Sequence, residues 1–160
     1  MVRLGKLTDY ALVVMTCIAR GHDLSVRTAR DLAAETKLPM PTVSKLLKGL
    51  LQSGLLISQR GTKGGYLLAK KPKDISIVEI IAALEGPFAL TECSTSIIGL
   101  CEIEECCPIK NNQRVINQAV RGALERITLA DLIQPLRLTA IQDSRGNLVQ
   151  TVGAVSRRIQ

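Results

Sequence analysis

The stretch that decides the fold is LPMPTVSKLLKGLLQSGLLISQRGTKGGYLLAK, residues 38–70. Its first part predicts a helix that begins near Pro41, because a first helical residue has no use for the amide donor that proline lacks. Apolar residues then recur at helical spacing on one face, at Val43, Leu46, Leu47 and Leu50. The other face is short or cationic: Thr42, Ser44, Lys45, Lys48, Gly49 and Gln52.

A second helix is predicted just upstream of this one. Thr28 can cap it, with Asp31 at its third position, and the residue before Pro39 is pushed out of the helical region. An earlier amphipathic helix covers residues 7–18. Two helices with a short break, the later one polar and basic near its start, match the helix-turn-helix that places a recognition helix in the major groove.

The remainder of the stretch predicts a β hairpin with a basic tip. Apolar runs at 55–58 and 66–69 flank a turn that holds glycines together with Arg60 and Lys63. The glycines permit close approach to another backbone, and the cations can reach phosphates or the minor groove. A phosphate-cradling nucleotide loop is a poor alternative, since the Walker spacing is absent and a strand follows. A merely solvated hairpin tip is the other alternative.

The charge distribution favours a polyanionic partner for the first half. The chain has 160 residues and a net charge of +7, and residues 1–73 hold 13 Lys and Arg against 4 Asp and Glu. Residues 74–134 hold 4 against 9. Such asymmetry is expected of a nucleic-acid-binding half, with a soluble basic face as the alternative. Aromatic residues make up only 2% of the chain, which argues against base stacking on aromatic platforms as the binding mode.

The second half contains two further helices before a final short one. Ser76 and Glu79 form a capping box for the first. A long helix starts near Asn111, and its apolar face is Ile116, Ala119, Val120, Ala123, Leu124 and Ile127. We expect this helix to pair with its copy in a homodimer rather than fold back, because helix-turn-helix proteins usually read two half-sites with two-fold symmetry.

The end of the chain has less pattern. Thr128 and Asp131 can cap a last short helix, and after Pro135 the sustained periodicity is lost. DSRGN, residues 143–147, is a turn signal, and short strands on either side of it are the alternative to a poorly ordered tail. We therefore expect a winged helix-turn-helix domain at 1–73, a cysteine loop with dimerisation helices at 74–134, and a poorly ordered tail at 135–160. The predicted fold class is mainly α with a small β hairpin.

Four of the five cysteines lie in CSTSIIGLCEIEECCPIK, residues 93–110. No signal peptide or membrane-spanning run is recognisable, so we expect a cytoplasmic protein whose thiols stay reduced. Clustered cysteines then favour metal or redox chemistry. Cys17, within the first helix, is expected to be a core or surface thiol.

Three kinds of chemistry are open to these cysteines. A structural zinc site usually uses C-x2-C pairs, which are absent, and His22 is distant in sequence. A thiol switch could join Cys101 to Cys106 or Cys107. Three thiolates with a further ligand from elsewhere could hold an iron–sulfur cluster.

Several segments together carry a family resemblance: LTDYAL, RDLA, LPMPTVSKLLKGL, RGTKGGYLLAK, ISIVEIIAALEG and CEIEECCPIKNNQRVINQAV, in that order. Over roughly residues 1–134 the chain resembles the IscR/NsrR/SufR-type winged-helix iron–sulfur transcription regulators, above all the regulators of the SUF cluster-assembly system. The wing and the three-cysteine loop make the match specific.

The resemblance implies that Cys93, Cys101 and Cys107 hold an iron–sulfur cluster, 2Fe-2S by preference and 4Fe-4S as the alternative. The IscR branch has a histidine ligand three residues after the last cysteine, where this chain has Lys110, a poor iron ligand. The NsrR branch uses an aspartate in the first helix, which Asp9 matches; a helix-dipole contact is its alternative role. Cys106 is the other candidate for the fourth ligand.

The resemblance also implies the contacts with double-stranded operator DNA. Thr42, Ser44 and Lys45 would face the groove, and Lys48 would hold a phosphate. The wing would contribute Arg60, Lys63, Gly64, Gly65 and Tyr66. In the IscR branch an acidic residue at the Ser44 position selects between two operator classes. Because this chain has a serine there, we do not expect it to make that selection.

The expected function is a dimeric, cluster-sensing repressor of iron–sulfur assembly genes, with no membrane or small-molecule substrate as partner. A cluster-free thiol-redox or zinc regulator is the nearest alternative. An iron–sulfur enzyme or cluster carrier is an alternative of another class. The sequence has no cofactor fingerprint or substrate-pocket motif for an enzyme, and a carrier would have no use for a basic wing.

Overall fold

The computed structural model describes residues 4–21, 26–61, 63–95, 97, 99–142 and 148–154. The elements in chain order are α1 Lys6–Arg20, α2 Ala29–Thr36, α3 Met40–Gln52, β1 Leu56–Gln59, β2 Gly65–Leu68, α4 Ile77–Glu85, α5 Lys110–Glu125, α6 Leu129–Leu132, β3 Leu136–Gln142 and β4 Leu148–Ala154. Short 3₁₀ turns lie at Pro72–Asp74 and Glu92–Ser94. The predicted fold class, mainly helical with a small hairpin in a winged-helix arrangement, is confirmed.

The hydrophobic core lies where α1, α2 and α3 pack together. Burial on α3 follows the helical period, and its four predicted apolar residues are fully buried. The other two helices and the segments after β2 complete the core with Ala11, Val14, Met15, Leu32, Ile75, Ile80 and Leu129. Because one face of α3 is held in this core, its opposite face is fixed towards solvent.

Three helices begin at the capping boxes that the sequence predicts. In each, the hydroxyl of the N-cap residue accepts a hydrogen bond from the amide of the third helical residue. The side chain of that third residue accepts a hydrogen bond from the amide of the N-cap residue. The pairs are Thr28 with Asp31, Ser76 with Glu79, and Thr128 with Asp131. α3 has no such box: Pro39 is its N-cap, and Pro41 is its second residue rather than its first.

The first hairpin forms the predicted wing directly after α3. β1 and β2 are antiparallel, with Leu56 paired to Leu68 and Gln59 to Gly65. The amide of Leu55 donates to the carbonyl of Leu50 at 3.0 Å. This bond ties the start of the wing to the end of α3, so the two elements share one frame.

α5 leaves the core, and α6 returns to it. The amide of Ile77 donates to the carbonyl of Ile127 at 2.9 Å, and the amide of Leu129 donates to the carbonyl of Ile75 at 2.8 Å. The junction between α5 and α6 is therefore held beside the start of α4. Before this junction, the predicted apolar face of α5 remains largely exposed: Ile116 is 50% exposed, and Val120 is 37% exposed.

The segment after Pro135 is not the poorly ordered tail that the sequence analysis predicts. β3 and β4 form an antiparallel hairpin, with Leu136 paired to Ala154 and Leu138 to Val152. Residues 136–142 and 148–154 instead adopt the short strands that the sequence left open on either side of its turn signal. The expected turn DSRGN and residues 155–160 lie outside the described residues.

Candidate nucleic-acid interface and cysteine segment

The outer face of α3 presents the side chains predicted to read DNA. Ser44, Lys45 and Lys48 are exposed, and Thr42 is half-buried beside them. Their orientation follows from the burial of the opposite face in the core. Small and cationic side chains on an exposed helix face can enter a major groove and reach base edges and phosphates.

The wing places two exposed cations at the far end of the hairpin. Arg60 follows β1 directly, and Lys63 lies just before β2. Because Gln59 and Gly65 form the last rung of the ladder, both cations lie in the turn beyond the paired strands. The turn can thus carry them to a backbone phosphate or a minor groove adjacent to the one that α3 would enter.

The wing glycines meet the protein's own backbone. A Cβ at Gly64 would lie 2.4 Å from the carbonyl oxygen of Gln59, and one at Gly65 would lie 2.6 Å from that of Arg27. Arg27 is this close because its amide donates to the Tyr66 carbonyl at 2.9 Å and its carbonyl accepts from the Tyr66 amide at 2.8 Å. Tyr66 also packs against the core. These three wing residues shape the turn, and their contact with DNA stays a prediction.

The cations of this surface lack acidic partners within the described part of the chain. None of Lys45, Lys48, Arg60 and Lys63 forms an ion pair there. Their charge is not cancelled locally, so the surface attracts a polyanion. Neighbouring Arg27, by contrast, pairs with Glu35 of α2.

The cysteines occupy different environments along residues 93–107. Cys93 lies in the 3₁₀ turn Glu92–Ser94 and is buried, with its Sγ 3.3 Å from the hydroxyl oxygen of Thr91. Cys101 and Cys107 are half-buried in a run of turns, and Cys106 is exposed. Within the described ranges, no three His, Cys, Asp or Glu side chains lie close enough to hold a metal ion. The thiol donors suit an iron–sulfur cluster chemically, but they would have to converge to bind one.

One face of α5 holds the chain around Cys93. The Oδ1 of Asn117, a buried polar residue, accepts a hydrogen bond from the Leu90 amide at 2.9 Å. One turn earlier, the Nε of Arg114 donates to the carbonyl of Cys93 at 3.2 Å. The start of the cysteine segment is therefore fixed to α5 by side chains that the sequence analysis did not single out.

The same face also holds the turn between Cys101 and Cys107. The Oε1 of Glu104 lies 2.9 Å from Lys110 Nζ and 3.2 Å from Arg114 Nη2. The hydrogen bond and charge of Lys110 hold the pKa of Glu104 below its ordinary value. Lys110, in the place of a histidine ligand of some relatives, thus has a contact of its own. In the sequence, the run of acidic residues that precedes the basic start of α5 was the signal that could have predicted this contact.

Asp9 lies near a tertiary contact that the sequence analysis missed. Asp9 is an exposed residue in the first turn of α1. That end of α1 is capped by Glu85, whose Oε1 accepts from the Gly5 amide at 2.7 Å and from the buried hydroxyl of Thr8 at 2.5 Å. Glu85 ends α4 just before the cysteine segment. The helix-end role considered for Asp9 therefore belongs in part to Glu85, and ligation by Asp9 stays a prediction.

Cys17 is buried in α1, away from this segment in sequence. Burial, together with the negative charge of Glu35, raises the pKa of its thiol. A thiol that stays protonated is a weak nucleophile and a weak metal ligand. Of the two expected positions, core or surface, this environment is the core one.

Comparison with known proteins accounts for this combination of a basic winged helix and a cysteine segment. Residues 4–135 match the model of the Rrf2 family, described as an iron-dependent transcriptional regulator. The chain belongs to the Rrf2 family. A transcription regulator named NsrR from Oceanobacillus iheyensis is 32% identical over 136 residues, which cover 83% of this chain and 90% of that protein.

Solved structures support the Rrf2 assignment. CymR, the global cysteine regulator of B. subtilis, matches with a TM-score of 0.66 and 28% identity, covering 83% of this chain and 97% of that one. IscR of T. potens matches with a TM-score of 0.64 and 26% identity, covering 82% and 86%. These relatives are transcription regulators rather than enzymes. The family match ends before β3, so the second hairpin lies outside it.

Membrane insertion finds no support in the helices of this Rrf2 protein. Within the described ranges, no helix is both long enough and apolar enough to cross a bilayer.

Proposed function

We propose that this Rrf2 protein is a homodimeric DNA-binding repressor of iron–sulfur cluster assembly genes and that its ligand is an iron–sulfur cluster. The observation that carries the proposal is that three thiols share one segment, which α5 holds beside a winged helix with unneutralised cations. The family's description as iron-dependent supports it. The target genes and the repressing sign come from the resemblance to SUF regulators.

DNA binding follows from the exposed face of α3 and the wing. Ser44 and Lys45 would face base edges in the major groove, and Lys48 would contact a phosphate. Arg60 and Lys63 would contact the backbone beside that groove. Phosphate contacts set the position on the duplex, and base contacts set the sequence preference.

Dimerisation would cover the exposed apolar side of α5. Ile116 and Val120 lie one turn apart on that side and are 50% and 37% exposed. A two-fold axis along this face would bring the two copies of α5 together and place two copies of α3 at successive half-sites. An isologous interface of this kind needs no other partner.

Cys93, Cys101 and Cys107 would supply three thiolates to the cluster, and Asp9 or Cys106 the fourth ligand. The cluster would be a ligand whose presence depends on iron supply and on oxidants. Because α5 holds this segment and bears the dimer face, the position of the cysteines would bias the spacing of the two α3 helices. A ligand shifts such an equilibrium only by binding one state more tightly.

Anaerobic reconstitution tests the ligand set. Wild type should become coloured and retain iron and sulfide after desalting, whereas Cys101→Ala should retain far less of both. Cys17→Ala is the matched control and should behave as wild type, because that thiol lies in the core of the winged helix. A colourless wild type, or a Cys101→Ala protein with normal iron content, would contradict the proposal.

Asp9→Ala separates the candidates for the fourth ligand. If Asp9 ligates, the visible spectrum or the lifetime of the reconstituted protein in air should change. Cys106→Ser should then leave both unaltered. An unchanged spectrum and lifetime in Asp9→Ala would return this residue to a role at the helix end.

A cluster-free thiol-redox regulator is the second candidate. Two observations favour it: no metal-binding set is assembled within the described residues, and CymR, a cysteine regulator by its name, shares the fold. In that case Cys101 would form a disulfide with Cys106 or Cys107. Peptide mapping of the oxidised protein would show the linked pair, and iron would not bind.

A further inference from the structure

We propose that Arg114 is the positioning residue of the cysteine segment. It holds this segment at two separate points. The inference rests on the proposed function and deepens it, because it names the residue through which the arrangement of the thiols reaches α5. The contacts of Arg114 with this segment are already present in the single chain.

The side chain of Arg114 bridges two parts of the segment that are far apart in sequence. Its Nε bonds the carbonyl of Cys93, and its Nη2 contacts the carboxylate of Glu104. Within the described residues, Arg114 is alone in bonding to both. The planar fork of a guanidinium suits this role, since it directs several fixed donors to different acceptors. Lys110 contacts Glu104 but has a single charged tip.

The two points must move relative to one another if the thiols converge. Cys93 is buried and fixed, whereas Cys101 and Cys107 lie in the turns on either side of Glu104. Among the described residues the three thiols do not form a group that could hold a metal ion, and we infer that they converge by a displacement of these turns over α5. Such a displacement changes the contact between Glu104 and Arg114. Through Arg114 it acts on α5, the helix that carries the exposed apolar face.

Thiol reactivity in the metal-free protein tests the positioning role. In Arg114→Gln, alkylation of Cys93 by iodoacetamide should speed up roughly tenfold, since two charge-assisted hydrogen bonds that resist local opening are lost. The exposed Cys106 should react at its wild-type rate. Peptide mass spectrometry measures each cysteine separately, and buried Cys17 reports any loosening of the whole fold.

Arg121→Gln is the matched control. Arg121 lies on the same helix, is similarly exposed and pairs only with Glu125 among the described residues. It should leave Cys93 at the wild-type rate. Arg114→Lys should give an intermediate rate, because an ammonium reaches one acceptor but not both. If Arg114→Gln leaves the rate unchanged, or speeds Cys17 as much as Cys93, the inference is overturned.

The reconstituted protein provides a second measurement. Arg114→Gln should shift the visible spectrum or shorten its lifetime in air, and Arg121→Gln should do neither. A loaded Arg114→Gln protein that matches wild type in both would overturn the inference while the proposed function stands. Arg114-dependent protection of Cys93 in a chain that never takes up iron would support the inference and overturn the proposed function.

Discussion

In the winged-helix half, residues 4–73, the α3 side chains proposed to contact DNA stand on a helix whose other face is fully buried, and the wing that carries Arg60 and Lys63 is tied to the end of that helix. In the cysteine-bearing half, residues 90–127, the proposed ligands lie in turns beside a helix whose apolar face is exposed. The first half has its working surface in place within one chain. The second half has the right residue types, and under the proposed function a ligand and a second copy would complete their arrangement.

This difference shows where a single chain determines a site and where it does not. A recognition face is fixed as soon as its helix packs, because burying one side of a helix orients the other. A three-thiolate site needs a loop to close. Without the ligand, no binding energy offsets the conformational entropy that the loop loses on closing. The four predictions below test this contrast, from the largest effect to the smallest.

Shortening a core residue should damage the first half far more than shortening an exposed residue damages the second. Leu47→Ala leaves a cavity beneath α3, and we expect a loss of about 2–5 kcal/mol in the free energy of unfolding. Ile116→Ala on α5 should cost little in the monomer and weaken the dimer. Urea unfolding at several protein concentrations separates the two. A Leu47→Ala loss under about 1 kcal/mol would contradict the packing described for α3.

Removing the carboxylate of Glu85 should loosen the contact between the start of α1 and the end of α4. Glu85→Ala leaves the buried hydroxyl of Thr8 without its acceptor, which should cost about 1–3 kcal/mol. Glu85→Gln keeps an acceptor and should cost less. Hydrogen exchange at the first turn of α1 provides the local readout, and equal losses in the two variants would exclude the hydrogen bonds as the cause.

The cap of α2 should contribute a smaller amount. Thr28→Ala removes the hydroxyl that accepts from the Asp31 amide, and N-caps of this kind are worth about 1 kcal/mol. Thr28→Ser retains the hydroxyl and should stay near wild type. If thermal unfolding gives the same midpoint for all three proteins, the capping box does not contribute measurably to stability.

Replacing Lys48 should have the smallest effect, and it should appear in salt dependence rather than in folding. Lys48→Ala removes one phosphate contact, so the slope of log affinity against log salt should fall by roughly one, about equally for all DNA sequences. Lys73→Ala, a lysine beyond the wing, is the control with an unchanged slope. If Lys48→Ala instead relaxes preference at one base position, Lys48 reads a base.

The first half could be predicted from sequence because its signals are local. The capping box of Thr28 and Asp31 spans one helical turn, and the stripe from Val43 to Leu50 repeats at the helical period. Both were found in the structure as predicted. The wing turn was likewise visible in its glycines, although the backbone that approaches Gly65 is that of Arg27, a contact that only the folded chain creates.

The second half was harder because its contacts are not local. Periodicity predicted the apolar stripe of α5, and its exposure in the single chain agrees with the expectation that the helix does not fold back. The cap that Glu85 gives to α1 joins residues about 80 positions apart, and no pattern along the sequence marks it. The strands β3 and β4 were only an alternative in the sequence analysis, because their segments carry no sustained pattern beside the turn signal. The thiols were identified by type, and their convergence on a ligand stays a prediction.

The most direct test compares operator binding by the reconstituted and metal-free protein. The probe is a duplex enriched from a random-sequence pool by the anaerobically reconstituted protein, with binding followed by fluorescence anisotropy. The account predicts tight binding by the reconstituted wild type, and much weaker binding by its metal-free form and by Cys101→Ala. Equal affinity of all three for this duplex would contradict the claim that the cysteine segment controls DNA binding.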